Sequence, residues 1–218
     1  MKVYTDIAKV KAEWDKFNVS DFIHSSFLEV FYINHPKIKH LFVINKDMRL
    51  YAHIFELRFD KIVRYLRNKR LGLFVKFLKF DVLYLTNSFI TNIPAFASKN
   101  KINLDKFLSV LQYNYTLLVL PDFVFNNITT EKNEFCKIEV EGDMILEIHN
   151  KWCDLDSYIS DFRKKYRKKI KKFLNSSSEI EIRPMNANDL VFYSDNIKDL
   201  FSQVINESKF SGPLFNTD

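Results

Sequence analysis

Between Trp152 and Leu174 the chain reads WCDLDSYISDFRKKYRKKIKKFL, and this stretch limits the fold more than any other. Leu155, Ile159, Phe162, Tyr166, Ile170 and Phe173 recur at spacings of four and three, with Tyr158 and Leu174 widening the stripe. That period predicts one amphipathic helix whose apolar face needs a hydrophobic interior to cover it. Asp154 or Asp156 is placed to cap the first turn, where a carboxylate accepts from a free backbone N–H.

The second half of the stretch is cationic, with Arg163, Lys164, Lys165, Arg167, Lys168, Lys169, Lys171 and Lys172. The whole chain carries 33 basic and 27 acidic residues, a net charge of +6. Residues 151–174 hold nine of the basic and three of the acidic ones, so the remainder is balanced at 24 of each. The basic character belongs to one helix. Acids at its start and bases at its end would suit the helix dipole on a solvated face. The dipole does not explain the density, although five like-charged pairs at i,i+4 cost only about 1–2 kcal/mol together, which a solvated face tolerates without a partner. An anionic ligand, whether phosphate, nucleic acid or lipid headgroup, removes that cost. Lys164, Lys165, Arg167, Lys168, Lys171 and Lys172 are the candidate anion-binding residues.

Apolar content of 47%, with 22 Phe and 10 Tyr, supplies a core for 218 residues and excludes wholesale disorder. Three glycines disfavour folds built on many tight turns, and no two lie close enough to form a glycine-lined phosphate cradle. Cys136 and Cys153 form no CxxC pair and read as reduced thiols. The N-terminus, MKVYTDIAKVKAEWDKF, is charged throughout and lacks the apolar centre of a signal peptide. Val82–Ser98, the longest stretch free of charge, is broken by Thr86, Asn87, Ser88, Asn92 and Pro94 and is unsuited to crossing a bilayer. A cytoplasmic location is expected.

Taken in order, residues 2–5 read as a strand, and Ile7–Phe17 and Asp21–Tyr32 as two short helices, the first capped by Thr5 or Asp6 and the second limited by Pro36. Leu41–Asn45 and Met48–Phe59 form a hairpin across Lys46-Asp47, the second strand apolar on both faces in its middle. Residues 60–70 hold a weaker basic cluster that reads as a solvated face. Leu73–Phe80 fits helix or strand equally, and VLYLT that follows is a strand. Thr86–Asn100 is a polar loop, exposed or site-lining. A helix over 103–113, a buried strand over Thr116–Leu120, and a hairpin of Phe135–Val140 with Met144–His149 follow, turning at Glu141-Gly142-Asp143. After the basic helix come a strand at Glu179–Arg183 and a helix from Asp189 to about Ser208, capped by Asn186 or Asn188. The fold class is therefore mixed α/β (α+β), with a central, largely antiparallel sheet flanked by helices.

The segment W–D–DSYI–DF–KKYRKKIKK, followed by EIEIR and DLVFYSDNIKDLFSQVINES, resembles the opening of the acyltransferase half in GNAT-like, Fem-type transferases. A pattern Y-x-x-x-L/F-x-x-K-x-R-K-x-I-K opens the second subdomain there, and here it is met by Tyr158, Phe162, Lys165, Arg167, Lys168, Ile170 and Lys171. The first 150 residues are similar to the first subdomain in element order. The resemblance implies a GNAT-like subdomain over 1–150 and the start of a second, incomplete one over 151–218, on which a missing C-terminal subdomain would pack. It also implies acetyl or aminoacyl transfer to an amine, with acyl-CoA or aminoacyl-tRNA as donor and an anionic small molecule, a nucleotide-linked acceptor or tRNA as partner. The pyrophosphate loop Q/R-x-x-G-x-G/A of that family is absent, and no cofactor is assigned to these residues.

Direct inspection yields no catalytic residue. His35 and His40 have a spacing seen among zinc ligands, but no CxxC precedes them and Pro36 interrupts the helix that would align them, so no metal site is expected. His53, inside an apolar strand, reads as a core histidine, and His149 stands at a strand end. No G-x-S-x-G elbow or Walker loop occurs. Direct acyl transfer needs orientation, an oxyanion donor and a proton acceptor, which leave little local signature. The alternative function is a nucleic-acid or anionic-membrane-surface binding module that uses the basic helix 163–172.

Overall fold

The structure, a computed structural model, describes residues 1–17, 19–59, 70, 75–90, 93–132, 135–139, 146–177 and 179–207. The basic cluster at 60–69, residues 71–74, the expected turn at 141–143, Met144 and the tail from Ser208 lie outside them. The chain divides into two compact units, Met1–Phe135 with Tyr193–Asp218, and Cys136–Phe192.

The first unit runs β1 (Lys2–Tyr4), α1 (Lys11–Trp14), α2 (Ser25–Asn34), β2 (Lys39–Asn45), β3 (Met48–Arg58), β4 (Lys79–Leu85), β5 (Phe96–Ser98), β6 (Ile102–Asn103), α3 (Leu104–Val110), β7 (Leu117–Val119), α4 (Asp122–Phe125) and β8 (Ile128–Thr129). Its sheet has the order β1-β2-β3-β4-β7, with β5 paired to the start of β3. Every pairing in it is antiparallel except β4 with β7, which run parallel from Val82↔Leu117 to Tyr84↔Val119. A parallel neighbour needs a crossover, and the segment holding α3 supplies it. The fold is thus mixed α/β, with a mostly antiparallel sheet flanked by helices.

The strand alternation sorts the core onto two faces. Leu41, Val43, Leu50, Ala52, Ile54, Leu83 and Leu85 face one way and pack with Leu104, Phe107 and Val124 of α3 and α4. Phe42, Ile44 and Tyr51 face the other way and pack with Ile7, Val10 and Trp14 before and within α1, and with Leu28 and Phe31 of α2. Burial on both sides explains why β3 reads as apolar on both faces.

The expected helix over 7–17 is instead a 3-10 turn at Ile7–Lys9, capped by Asp6 Oδ1 accepting from Ala8 N at 2.9 Å, and then the single turn α1. Val10, with φ −130°, breaks the two apart. Ile7, Val10 and Trp14 are all buried regardless of the break. Trp14 Nε1 donates to the Ile23 carbonyl at 2.7 Å, which fixes the loop that leads into α2.

The second unit departs further from expectation. The stretch at 152–174 is two helices, α5 (Leu155–Ser160) and α6 (Lys164–Ser176), separated at Asp161–Arg163. Asp161 ends the first because its carboxylate is drawn back to the preceding loop, accepting from Trp152 Nε1 at 2.9 Å and Lys151 Nζ at 2.7 Å. Among the described residues this unit has no strand. The hairpin expected over 135–149 is not formed at 135–139 or 146–149, and Ile138, Leu146 and Ile148 are exposed. The strand expected at Glu179–Arg183 is also absent, with Ile182 91% exposed. Alternation supplies a face, but a strand also needs a neighbour for its backbone groups. Arg183 instead pairs through both terminal nitrogens with Asp189, at 2.6 and 2.8 Å. Asp189 opens α7 (Ala187–Phe192), and α8 (Ser194–Glu207) follows in the first unit, so the helix expected from Asp189 on is broken at Tyr193. No helix of the described residues is long and apolar enough to cross a membrane.

Candidate functional site

In the first unit the sheet brings a set of polar side chains together at the carboxyl end of β4. Pairing with β7 stops at Tyr84↔Val119, while β4 continues beside β3 to Ala52↔Leu85. The chain then turns sharply. Thr86 has φ 101°, a left-handed value that is an outlier for a β-branched residue and costs about 1–3 kcal/mol. Asn87 completes the turn, its Oδ1 accepting from Phe89 N at 3.0 Å. Thr86 and Asn87 are 0% and 3% exposed, so this start of the polar loop lies inside the protein.

The cross-strand register sets His53 opposite Tyr84, their rings stacked 5.8 Å apart. His53 Nε2 lies 2.8 Å from Ser88 Oγ. Along the same face, His40 Nδ1 meets the Tyr51 hydroxyl at 2.9 Å and His40 Nε2 meets the His35 carbonyl at 3.0 Å. A carbonyl only accepts, so a neutral His40 carries its proton on Nε2 and takes one from Tyr51 at Nδ1. His35 Nδ1 donates to the Phe31 carbonyl at 2.9 Å by the same logic.

Burial fixes the charge state. It lowers His40 below the ordinary imidazole value and raises Tyr51 well above the ordinary phenol value. For His53, burial first and the nearby His40 and His35 second lower the pKa to about 3. In this cluster His40, Tyr51 and His53 are therefore uncharged at neutral pH, and His53 is no proton acceptor there. Its hydrogen-bonding capacity is incompletely used: His53 Nδ1, Thr86 Oγ1 and Asn87 Nδ2 are buried with no partner among the described residues. Such groups are rare in folded proteins. What they offer is neutral polarisation, in which uncharged donors in a low-dielectric setting steady an oxygen that gains negative charge.

The sequence places Thr86–Asn100 in a loop and His53 in the core, and does not reveal that His53 meets Ser88 of that loop. The pairing of His53 with Ser88 spans 35 residues, and no local period reports it. The signal available was the run Thr86-Asn87-Ser88 directly after an apolar strand, where the chain is still within the core. His35 and His40 are joined through a backbone carbonyl, and the described residues hold no group of three or more His, Cys, Asp or Glu able to bind a metal.

All six residues expected to bind an anion lie on α6 in the second unit, and all are exposed. The split of the predicted helix changes their meaning. The acids Asp154 and Asp156 belong to α5, where Asp154 and Ser157 form a reciprocal cap. On α6 the cations start in the first turn, that turn contains no acid, and the last turn contains no base. The helix dipole disfavours this arrangement, so it does not account for the charges. The unit's other cations, Lys137, Lys151 and Arg183, are ion-paired with Glu139, Asp161 and Asp189. None of the eight between Arg163 and Lys172 is paired with a described acid. The loop before α6 is held by edge-to-face contacts of Trp152 with His149 at 4.7 Å and Tyr158 at 4.9 Å, and of Tyr158 with Phe162 at 4.9 Å.

No family model matches the chain, and no curated protein or solved structure matches it either.

Proposed function

We propose that the chain is part of an acyltransferase of GNAT-like, Fem type, which moves an acetyl or aminoacyl group from acyl-CoA or aminoacyl-tRNA to an amine. The observation that carries this reading is the carboxyl end of β4. There the parallel pairing of β4 with β7 ends, and a strained turn holds buried polar groups without a described partner. Open α/β sheets take ligands beyond the carboxyl ends of parallel strands, where the chain leaves a crevice. The element order of the first unit supports the same reading, since among the described residues one strand, a helical pair, an antiparallel hairpin and three further strands precede the crossover helix.

In this proposal the acyl carbonyl oxygen accepts from Asn87 Nδ2 and the Thr86 hydroxyl. The amine nitrogen attacks the carbonyl carbon, and negative charge builds on the oxygen facing those donors. The bond to sulfur or to the ribose oxygen then breaks, and the leaving group takes a proton equivalent to the one the amine gives up. His53 stays neutral and positions Ser88. Neutral donors fit this step because they are already oriented and do not compete for the proton.

The test mixes the full chain with acetyl-CoA, and separately with aminoacyl-tRNA, and a panel of amine acceptors, and follows release of the free thiol or of the deacylated tRNA. Acceptor-dependent release is expected, falling by about a hundredfold in Asn87→Ala, as for loss of one oxyanion donor. Release equal in the two proteins, or absent with every acceptor, overturns the proposal.

A further inference from the structure

We infer that α6 docks on an anionic membrane surface, lying along the headgroups with its apolar stripe turned toward the acyl chains. This rests on the cationic helix alone and is independent of the acyl-transfer reading.

The helix has 13 residues, a length of about 20 Å at 1.5 Å per residue. At about 100° per residue, Tyr166, Ile170, Phe173 and Leu174 form one stripe, and Lys164, Lys168 and Lys172 lie opposite. Arg167 and Lys169 border the stripe on its two sides. None of the helix is buried, and the stripe is open, with Tyr166 51% and Phe173 66% exposed.

Two separate deficits thus sit on one short element. Seven cations lack a described counter-ion, and an apolar stripe is exposed. A nucleic-acid backbone would answer the first and leave Phe173 and Leu174 in water. A purely apolar partner would cover the stripe and leave the cations repelling one another. An anionic bilayer surface answers both, because its phosphates and carboxylates lie level with the cations while the stripe enters the acyl boundary. Arg167 and Lys169 suit that geometry, since long stems follow the apolar surface and keep their charged ends at headgroup level.

The test sediments the full chain with vesicles of equimolar phosphatidylserine and phosphatidylcholine, and with vesicles of phosphatidylcholine alone. Binding to the first and not the second is expected. A triple variant, Lys164→Gln with Lys168→Gln and Lys171→Gln, should bind about a hundredfold more weakly, each cation near such a surface contributing several-fold. Phe173→Ser should weaken binding several-fold, with the circular dichroism of both variants unchanged. No binding to the anionic vesicles overturns the inference. So does vesicle binding insensitive to Phe173→Ser, and so does tighter binding to duplex RNA or DNA than to the vesicles. Thiol release should survive Phe173→Ser, and Asn87→Ala should still bind vesicles, so failure of either reading shows separately.

Discussion

His53 Nε2 and Ser88 Oγ stand 2.8 Å apart, although 35 residues separate them in the chain. The contact ties the central strand β3 to the turn that follows β4, and it places an uncharged imidazole beneath the strained Thr86-Asn87 step. A protonated His53 would bring a buried charge into this group, which burial opposes.

The first prediction concerns acid. The folded chain holds His53 at a pKa of about 3, against the ordinary 6.5 expected once it is unfolded. Between those values the unfolded chain binds a proton that the folded chain refuses, so stability is full above the upper value and falls as pH descends toward the lower. The slope from this one group reaches about 1.4 kcal/mol per pH unit. The lowered pKa of His40 acts in the same direction. Urea unfolding measured across that window should show this slope, flattened in His53→Gln; an unchanged slope in the variant would contradict the assignment.

Thr86 should behave as a residue kept at a cost. Its hydroxyl is buried without a described partner, and removing such a group relieves its desolvation penalty. Thr86→Val keeps the shape and should stabilise the protein by about 1 kcal/mol, visible as a raised melting temperature. Thiol release should fall in the same variant, because one donor to the acyl oxygen is gone. A variant that melts lower would show that the hydroxyl is satisfied.

Trp14 is fully buried and fastened through its indole N–H to the Ile23 carbonyl. Trp14→Ala removes that bond and opens a cavity between α1 and the sheet. A loss of about 3–5 kcal/mol in chemical denaturation is expected. A loss below about 1 kcal/mol would mean that α1 is not part of the cooperative core.

Asp154 is expected to hold α5 together from its first turn. Its carboxylate accepts from Ser157 N at 2.7 Å, and the same bond, with the Ser157 hydroxyl next, keeps its pKa below the usual carboxylate range. Hydrogen exchange of the Leu155–Ser160 amides should accelerate in Asp154→Ala and also in the wild type once that carboxylate is protonated. Equal protection in the variant would rule out the cap.

Period was legible in the sequence wherever burial is one-sided or two-sided over several residues. The β2–β3 hairpin, β4, α2 and α3 follow directly from the spacing of Leu41 to Phe59, Val82 to Leu85, Phe27 to Phe31, and Leu104 to Phe107. Continuity was less legible, because a stripe does not report a single backbone break. Val10 and Asp161 each split an expected helix while the stripe continues past them. Strand formation at 135–139 and at Glu179–Arg183 was misjudged for a related reason. Alternating isoleucines specify a face, whereas the ladder needs a second segment that the local sequence does not reveal. The cluster at His53 was hidden for the opposite reason, since its members become neighbours only through the register of β3 with β4.

The central claim, that the carboxyl end of β4 receives an acyl donor, is tested most directly by titrating acetyl-CoA onto the isotopically labelled chain and following its backbone amides by NMR. Saturable shifts at Leu85, Thr86, Asn87, Ser88 and His53 are expected, and they should be lost in Asn87→Ala. Shifts confined to Arg163–Lys172, or none at all, would contradict the account.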